Sequence, residues 1–444
     1  MKPLPKKHDT ASVYGLGRSG RALVAHLVAL GVRVCAFDDK PREALGDLPR
    51  WLSSLGVPLY AGGEGESRGD FVFRTPAMRP DSPVLCRAAL RGATVMGEAE
   101  YFARLCPAPI YAVSGSDGKT TTATMLAHLL ASGGRRVYLG GNIGRSLLPF
   151  LSGMRQEDAC VLELSSFQLQ DMDTRFAVGV LTNLTPNHLN WHKSFEEYAA
   201  AKRRLALSSD LPVLRRGLFE DLDARRFSVE GDADFTLRDG VLWGLGVPLC
   251  HATQMRLSGR HNIENLLAAS AAAAGEITPR AVRELAMRFG GVAHRAEWVC
   301  DVRGVRYINS SIDTTPSRTA ITLAALSGEG RLHLLLGGRE KGLSYEVLTD
   351  ALRGKRTLCY LFGESAPVAA RALAGTGIAH ASFLGMRDAF LAASGAAERG
   401  DTVLLSPAAT AFDEFVDYEA RGECFRRLCG QIKEQENEND EQHF

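Results

Sequence analysis

The stretch Val113-Ser114-Gly115-Ser116-Asp117-Gly118-Lys119-Thr120-Thr121 decides how this chain is interpreted. An apolar run, 110–113, leads into it, and a helix-like run, 120–131, leads out of it. A strand, a glycine-rich loop and a helix in this order are typical of a site that holds nucleotide phosphates. Backbone N–H groups close around the phosphate oxygens there. The pattern predicts that Lys119 neutralises the terminal phosphates and that the Thr120 hydroxyl binds Mg²⁺.

The spacing inside this loop narrows the interpretation. The common phosphate loop has a glycine five positions before its second glycine, whereas Val113 stands at that position here. The short form Gly-x-x-Gly-Lys-Thr still predicts ATP binding, but it does not say what the ATP is used for. The loop residues predicted to contact ATP are consecutive: Gly115, Ser116, Asp117, Gly118, Lys119, Thr120 and Thr121.

Length, charge and cysteine content exclude several classes of protein. At 444 residues the chain is too long for one ordinary core, so about three domains are expected. The 52 basic and 51 acidic residues nearly balance, so the overall charge predicts neither a nucleic-acid partner nor a membrane surface. No apolar run approaches the ~18 residues of a membrane helix. The nine cysteines lack Cys-x-x-Cys spacing, which favours free thiols and a cytoplasmic location.

The first block of the chain carries a second glycine-rich turn, Gly15-Leu16-Gly17-Arg18-Ser19-Gly20. A short strand, 12–14, precedes the turn, and a second strand, 32–37, ends at Asp38. An acidic residue about 20 positions after the glycines completes the dinucleotide fingerprint. Two interpretations remain open: a bound NAD-type cofactor, or a tight turn that places some phosphate at a helix N-terminus. The later loop Arg74-Thr75-Pro76 lies at the ligand end of the same predicted sheet.

Polar side chains follow two apolar strands of the second block. Glu163 ends the run 159–162, and a carboxylate at a strand end beside a phosphate loop is placed to bind Mg²⁺. The alternative for Glu163 taken alone is a solvated acid. His188 follows the next apolar run, 178–181, which favours a site role over that of a surface histidine. Lys202 lies on the next predicted helix and by itself resembles an ordinary solvated lysine.

The rest of the second block contains an alanine-rich helix, and the residues after it predict a third α/β domain. Asn262 and Asn265 precede an alanine-rich helix, 266–274, where their spacing allows either helix capping or contact with a purine edge. From residue 293 onward, strands alternate with turn clusters and helices, which indicates a further α/β layer. The predicted domains are residues 1–97, 98–292, and 293–444 with a polar tail.

These motifs, in this order, resemble the Mur ligase family of ATP-dependent amide-bond ligases. The resemblance extends from about residue 14 to residue 427. It implies a Rossmann-like UDP-binding domain, a central P-loop ATPase domain and a C-terminal Rossmann-like domain. The first glycine-rich block and Ser406-Pro407-Ala408-Ala409 are most similar to members that add D-glutamate to UDP-N-acetylmuramoyl-L-alanine in peptidoglycan synthesis. The other specific pieces are Glu163 to Gln168, Gly259 to Asn262 with Asn265, His294-Arg295, Gly337 to Gly342, and Phe412-Asp413.

The resemblance assigns roles to individual residues. It replaces NAD by the UDP part of the substrate, held by Gly17, Arg18, Ser19, Asp38, Arg74 and Thr75. It implies contacts to ATP from Asn262, Asn265 and Arg295, to metal and muramoyl groups from Asn142 and Ser165, and to D-glutamate from Thr314, Lys341 and Phe412. It implies two Mg²⁺ sites, with ligands Thr120, Glu163, His188 and a carbamoylated Lys202. The catalytic residues implied are Lys119, Glu163, His188 and Lys202.

Four positions depart from the family pattern. Ser310 and Asn190 stand where aspartates are expected, Ala411 replaces a serine, and Asp117 replaces an asparagine. We predict an active, monomeric ligase that acts on small molecules. Three alternatives remain: a Mur-type ligase for another amino acid, a nucleotide-binding relative without activity, and an NAD-dependent oxidoreductase.

Overall fold

The computed structural model describes residues 2–63, 65–67, 69–326 and 330–441. Internal contacts divide the chain into two compact units, and the boundary along the chain falls between Phe289 and Gly290. The predicted α/β class is confirmed, since each of three sheets is mostly parallel and is followed along the chain by helices. Within the described ranges, no helix combines the length and apolar character needed to cross a membrane.

The first sheet has five parallel strands in the order β3-β2-β1-β4-β5. Its strands are β1 (Thr10–Tyr14), β2 (Arg33–Asp38), β3 (Leu59–Ala61), β4 (Phe71–Arg74) and β5 (Thr94–Gly97). Its helices are α1 (Arg18–Ala29), α2 (Leu48–Ser54), α3 (Pro83–Leu90) and α4 (Glu98–Leu105), and a short 3₁₀ turn covers Arg42–Leu45.

The second sheet has nine strands in the order β14-β13-β12-β11-β10-β9-β6-β8-β7. Its strands are β6 (Ile110–Ser114), β7 (Val137–Gly141), β8 (Ala159–Glu163), β9 (Phe176–Leu181), β10 (Ser209–Arg215), β11 (Arg225–Ser228), β12 (Phe235–Arg238), β13 (Val241–Gly244) and β14 (Val247–His251). Its helices are α5 (Lys119–Ser132), α6 (Ser166–Leu169), α7 (Phe195–Leu207), α8 (Arg260–Ala272) and α9 (Pro279–Arg288), with 3₁₀ turns at Leu148–Gly153 and Ala252–Gln254.

The centre of the second sheet places the phosphate loop. Strands β6 and β8 are buried along their whole length, as expected for parallel strands covered on both faces. Helix α5 continues directly from the loop and packs on α8. The alanines of α8 are buried, and their small side chains allow this close approach.

One hydrophobic core joins the first two sheets. Phe73 of β4 and Phe102 of α4 belong to the same buried cluster as Leu162 of β8 and Phe176 of β9. These four side chains are at most 2% exposed. Both sheets therefore belong to one compact unit.

The second unit contains six strands in the order β15-β16-β20-β17-β18-β19, of which only the β15–β16 pair is antiparallel. Its strands are β15 (Glu297–Val302), β16 (Val305–Asn309), β17 (Leu332–Gly337), β18 (Thr357–Phe362), β19 (Ala379–Phe383) and β20 (Thr402–Leu405). Its helices are α10 (Pro316–Ala325), α11 (Glu346–Leu352), α12 (Ala366–Leu373), α13 (Met386–Ala396) and α14 (Tyr418–Glu441).

Candidate active site

The phosphate loop is shaped by glycines that no other residue replaces without strain. Gly118 has φ +75°, and a Cβ there would lie 2.3 Å from Asn265 Oδ1. Gly115 has φ +153°, and its Cβ would meet Thr182 Oγ1 at 1.8 Å. The loop is therefore packed against two neighbouring segments, and its backbone N–H groups at the start of α5 are left to face an anion.

We expect Gly118→Ala to destabilise the first unit by about 1–3 kcal/mol, because left-handed backbone costs a non-glycine residue ~1–2 kcal/mol and Asn265 must also move. Gly217→Ala is the matched control, since Gly217 has φ +89° but open space at Cβ. Denaturant unfolding should show the larger loss for Gly118→Ala, and ATP affinity should fall only in that variant. Equal losses in both variants would contradict the packing argument.

Hydrogen bonds hold the phosphate loop in shape. Lys119 Nζ donates to the Ser116 carbonyl at 2.8 Å. The Ser116 hydroxyl donates to the Thr185 carbonyl at 2.9 Å and lies 2.7 Å from the Tyr198 hydroxyl. The Asp117 N–H donates to Asn183 Oδ1 at 2.8 Å, and the Asp117 side chain itself is exposed. The loop therefore holds its shape without using the carboxylate of Asp117 for that purpose.

Lys202 is not the solvated lysine that its sequence context suggested. Its side chain is 1% exposed, and Nζ donates to the Gly115 carbonyl at 2.7 Å and to Ser114 Oγ at 3.2 Å. Burial, followed by the positive charge of Lys119, lowers its pKa to about 7. An amine that is about half neutral at pH 7 is thus held beside the phosphate loop, with Nζ 2.7 Å from the Gly115 carbonyl oxygen.

Glu163 fits the role of a metal ligand. Its side chain is 2% exposed, Oε1 accepts a hydrogen bond from Asn142 Nδ2 at 3.0 Å, and Oε2 is buried without a partner. A buried carboxylate oxygen without a hydrogen-bond donor destabilises the fold unless a bound cation serves as its partner. The negative charge of Glu163 also acts to raise the pKa of Lys202, so the two side chains share one electrostatic environment. Among the described residues, no three His, Cys, Asp or Glu side chains form a complete metal cluster.

His188 lies on an exposed loop after β9, in the left-handed region with φ +55°. Its ring packs edge-on against Phe167 at 4.9 Å between centroids. Partial burial and the positive charges of Lys119 and Lys202 lower the pKa of His188. The three predicted residues Lys119, His188 and Lys202 therefore lie within electrostatic reach of one another.

The His188 loop is tied to the loop that follows β4, a link that the sequence did not predict. Trp191 Nε1 donates to the Ala77 carbonyl at 2.9 Å, and the Arg79 guanidinium donates to the Trp191 carbonyl. Arg79 also forms an ion pair with Glu197 at 2.8 Å. Ala77, Arg79 and Trp191 lie on loops and Glu197 lies in the first turn of α7, so only the fold brings them together.

The first glycine-rich turn lines a cavity of about 190 Å³. Asp38 supports the turn, because its Oδ2 accepts from the Leu16 N–H at 3.0 Å. Gly15 has φ +80°, and a Cβ there would lie 2.7 Å from Thr75 Cβ. The predicted residues that line this cavity are Gly17, Arg18, Ser19, Arg74 and Thr75.

Arg74 lines the cavity, but its guanidinium is used elsewhere. It is 4% exposed and donates to Asp171, to the Phe167 carbonyl at 2.8 Å and to the Met78 carbonyl at 3.1 Å. The side chain thus links the first sheet to the second. A direct ionic contact from Arg74 to a nucleotide would require these bonds to break.

Ser165 and the two asparagines also have structural partners. Ser165 caps α6 in a capping box with Gln168. Asn265 Oδ1 accepts from Thr122 Oγ1 at 3.2 Å, and Asn262 Nδ2 donates to the Ser258 carbonyl at 2.9 Å. Neither asparagine caps the N-terminus of α8, where Gly259 is the cap residue without a side-chain bond. The predicted capping role is therefore wrong, and the Asn265 side chain lies against the phosphate loop at Gly118.

In the second unit, three of the predicted residues lie on loops at the carboxyl edge of the sheet. Thr314 follows β16, Lys341 follows β17, and Phe412, which is 57% exposed, follows β20. Arg295 lies just before β15 and is exposed. Lys341 is also exposed, so its ammonium is accessible to an anion.

The substituted positions of the second unit have defined surroundings. Ser310 is buried, and its Oγ accepts from the Ala296 N–H at 3.0 Å. Asp313 does not replace the expected carboxylate, because its Oδ2 is buried between Thr322 and Ser406 at 2.7 and 2.8 Å. The Thr410 hydroxyl donates to the Arg339 carbonyl at 3.0 Å.

Comparison with known proteins identifies the group to which this chain belongs. The sequence profile of the Mur ligase middle domain matches residues 113–212. The UDP-N-acetylmuramoylalanine–D-glutamate ligase of Clostridium perfringens is 38% identical over 449 residues, covering 96% of this chain and 97% of that protein. The chain belongs to the Mur ligase family. The D-glutamate ligase of Ruminiclostridium cellulolyticum is 35% identical with the same coverage.

Solved structures of Mur ligases share the fold. The UDP-N-acetylmuramate–alanine ligase of Thermotoga maritima is 20% identical with a TM-score of 0.54, covering 96% of this chain and 100% of that one. A UDP-N-acetylmuramoyl-L-alanyl-D-glutamate–2,6-diaminopimelate ligase gives a TM-score of 0.53 at 18% identity, covering 83% and 93%. The Mur ligase architecture expected from the sequence is therefore confirmed.

Proposed function

We propose that this Mur ligase joins D-glutamate to UDP-N-acetylmuramoyl-L-alanine at the expense of ATP, in peptidoglycan precursor synthesis. The observation that carries the proposal is the phosphate loop with the buried amine of Lys202, whose pKa is lowered to about 7, and a partly unpartnered carboxylate, Glu163, close to it. Full-length relatives named as D-glutamate ligases support the choice of substrates. The relatives named here are all ligases, so the NAD-dependent alternative has no support from them.

The reaction proceeds by phosphoryl transfer and then acyl transfer. The L-alanyl carboxylate attacks the γ-phosphorus of ATP, ADP leaves, and an acyl phosphate forms. The amine of D-glutamate attacks the activated carbonyl, and the tetrahedral intermediate expels phosphate to leave an amide. Because several anions meet, electrostatic stabilisation dominates. Lys119 and the N–H groups at the start of α5 hold the β- and γ-phosphates.

We propose two Mg²⁺ sites, of which the one at Glu163 is supported by its buried, unpartnered Oε2. Thr120 would hold one ion beside the phosphates, and Glu163, His188 and a carbamate on Lys202 would hold the other. Bound Mg²⁺ would neutralise charge on the transferred phosphoryl group. Lys202 as an ammonium would repel the ion, whereas the carbamate formed from its neutral amine and CO₂, with loss of one proton, is anionic.

We further propose roles in substrate binding for the other predicted residues. Gly17, Arg18, Ser19 and Thr75 bind the UDP group in the cavity that they line, and Asp38 holds the turn in shape. Asn142 positions Glu163. The enzyme acts as a cytoplasmic monomer, and its nine free cysteines agree with a reducing compartment.

One assay tests the proposed function. Purified enzyme supplied with UDP-N-acetylmuramoyl-L-alanine, ATP, Mg²⁺ and D-glutamate should release phosphate, and omission of any one substrate should stop the release. A panel of other D-amino acids tests the alternative of a different amino-acid substrate. Silence with every component present would refute the proposal and favour the non-catalytic alternative.

The pKa of Lys202 predicts how its carbamate depends on pH. With a pKa of about 7, roughly a tenth of the amine is neutral at pH 6 and about nine tenths at pH 8. Since only the neutral amine attacks CO₂, the initial rate of carbamate formation at constant dissolved CO₂ should be about tenfold lower at pH 6 than at pH 8, and the equilibrium level should be lower still because the reaction releases a proton. ¹³C NMR with ¹³CO₂ measures this without turnover, and Lys202→Met is the control. A carbamate signal that does not change over this range would contradict the prediction.

A further inference from the structure

The carboxyl edge of the six-stranded sheet carries three cations, Arg318, Lys341 and Arg421, which we call the cationic cluster. Burial lowers the pKa of Lys341, and the positive charges of Arg318 and Arg421 lower it further. The three groups therefore lie within electrostatic reach of one another. Across the described residues, neither Arg318 nor Lys341 forms an ion pair with a carboxylate.

Arg421 is the fixed member of the cationic cluster. It is fully buried on α14 and donates to four neutral acceptors: Ser311 Oγ and carbonyl, the Gly337 carbonyl and the Ala409 carbonyl, all at 3.0–3.1 Å. These acceptors belong to the three loops after β16, β17 and β20. Burial lowers its pKa to about 10, so it stays charged near neutral pH. Arg421 therefore holds these segments together and uses four of its five N–H donors on them.

Arg318 is the adaptable member. It lies in the first turn of α10, is exposed, and its Nη1 donates to the Ile312 carbonyl at 3.3 Å. This contact places the guanidinium over the loop that contains Thr314. A guanidinium has five N–H donors in a planar fork, so most of its donors remain for an incoming carboxylate.

Neutral donors are scarce at this edge. Ala411 has no side-chain donor, and the Thr410 hydroxyl is used by the Arg339 carbonyl. The Ser311 hydroxyl donates to the Tyr418 carbonyl at 2.8 Å. Since the Ser311 and Thr410 hydroxyls already donate to carbonyls, a carboxylate that binds here gains most from the cationic side chains, with Thr314 as a remaining neutral donor.

We propose that Lys341 binds one carboxylate of the incoming amino acid and Arg318 binds the other, so that Arg318 determines the preference for a dicarboxylic substrate. This inference rests on the proposed function. A dicarboxylate places two negative charges between two cations that otherwise repel one another, and Arg–carboxylate pairs can be bidentate. An amino acid with a neutral side chain leaves one cation uncompensated.

The test compares Arg318→Ala with Arg356→Ala, an exposed arginine that precedes β18 at the opposite edge of the same sheet. In the phosphate-release assay we expect the KM for D-glutamate to rise at least ~10-fold in Arg318→Ala, with the KM values for ATP and the UDP substrate within twofold of wild type. Arg318→Lys should recover part of the loss, and the ratio of kcat/KM for D-glutamate over D-glutamine should fall.

An unchanged KM for D-glutamate in Arg318→Ala would overturn the inference, as would equal increases in all three KM values or the same effect in Arg356→Ala. The proposed function fails by a different result, namely the absence of D-glutamate-dependent phosphate release by the wild-type enzyme. The two failures are therefore distinguishable.

Discussion

Lys119→Ala should lower kcat about 10³-fold and leave the affinity for the UDP substrate within twofold. The lysine is the charge nearest to the terminal phosphates in the proposed complex, and loss of one such electrostatic group typically costs 10²–10³-fold or more. The cavity that we propose for UDP is lined by the first glycine-rich turn, and Lys119 is not among its lining residues. The variant should therefore separate phosphoryl transfer from substrate binding.

Single-turnover phosphate release gives the rate, and isothermal titration gives the affinity for the UDP substrate. Lys355→Ala is a suitable control, since Lys355 is exposed in the second unit. A fall of less than tenfold in kcat would show that Lys119 does not face the transferred phosphate.

Lys202→Met should lower kcat about as much as Lys119→Ala does, without unfolding the protein. Methionine nearly matches the length of the buried stem, but it has no amine to react with CO₂, and the proposed second metal site would lose one ligand. The Gly115 carbonyl and Ser114 Oγ lose a donor, which costs about 1–3 kcal/mol for a buried acceptor. We therefore expect the melting temperature to fall by several degrees while the protein remains folded.

Intact mass spectrometry, done without acid, should show a mass increase of one CO₂ on wild type and none on Lys202→Met. Calorimetry then distinguishes loss of chemistry from loss of fold. Turnover by Lys202→Met at wild-type rate would refute the carbamate, whereas an unfolded variant would show that the amine is mainly structural.

The sequence predicted the parts of the site that depend on local pattern. Lys119 and Glu163 could be proposed as site residues from sequence because each belongs to a local motif. Lys119 follows a glycine-rich loop, and Glu163 stands at the end of a buried strand. The burial of Lys202 could not be predicted, since it depends on how α7 packs beneath the phosphate loop. Its neighbours Ser114 and Gly115 are almost 90 residues away in sequence.

Long-range arginines were the main omission. Arg79 and Arg421 have no motif around them, and each acts by joining segments that the sequence separates by about 100 residues. Arg74 was identified, but for a contact with UDP, whereas the structure engages its guanidinium with Asp171 and two carbonyls. Arginine is long and multidentate, so its partners depend on tertiary structure more than on sequence neighbours.

The hydrophobic core shared by the first two sheets also determines where two related enzymes can be recombined into a folded chimaera. A gene crossover between residues 105 and 110 would bring Phe73 and Phe102 of one parent against Leu162 and Phe176 of another, in a core where shape mismatch is costly. A crossover near Phe289 leaves that core intact. Chimaeric enzymes should therefore tolerate exchange of the six-stranded sheet as a unit better than a separation of the first two sheets.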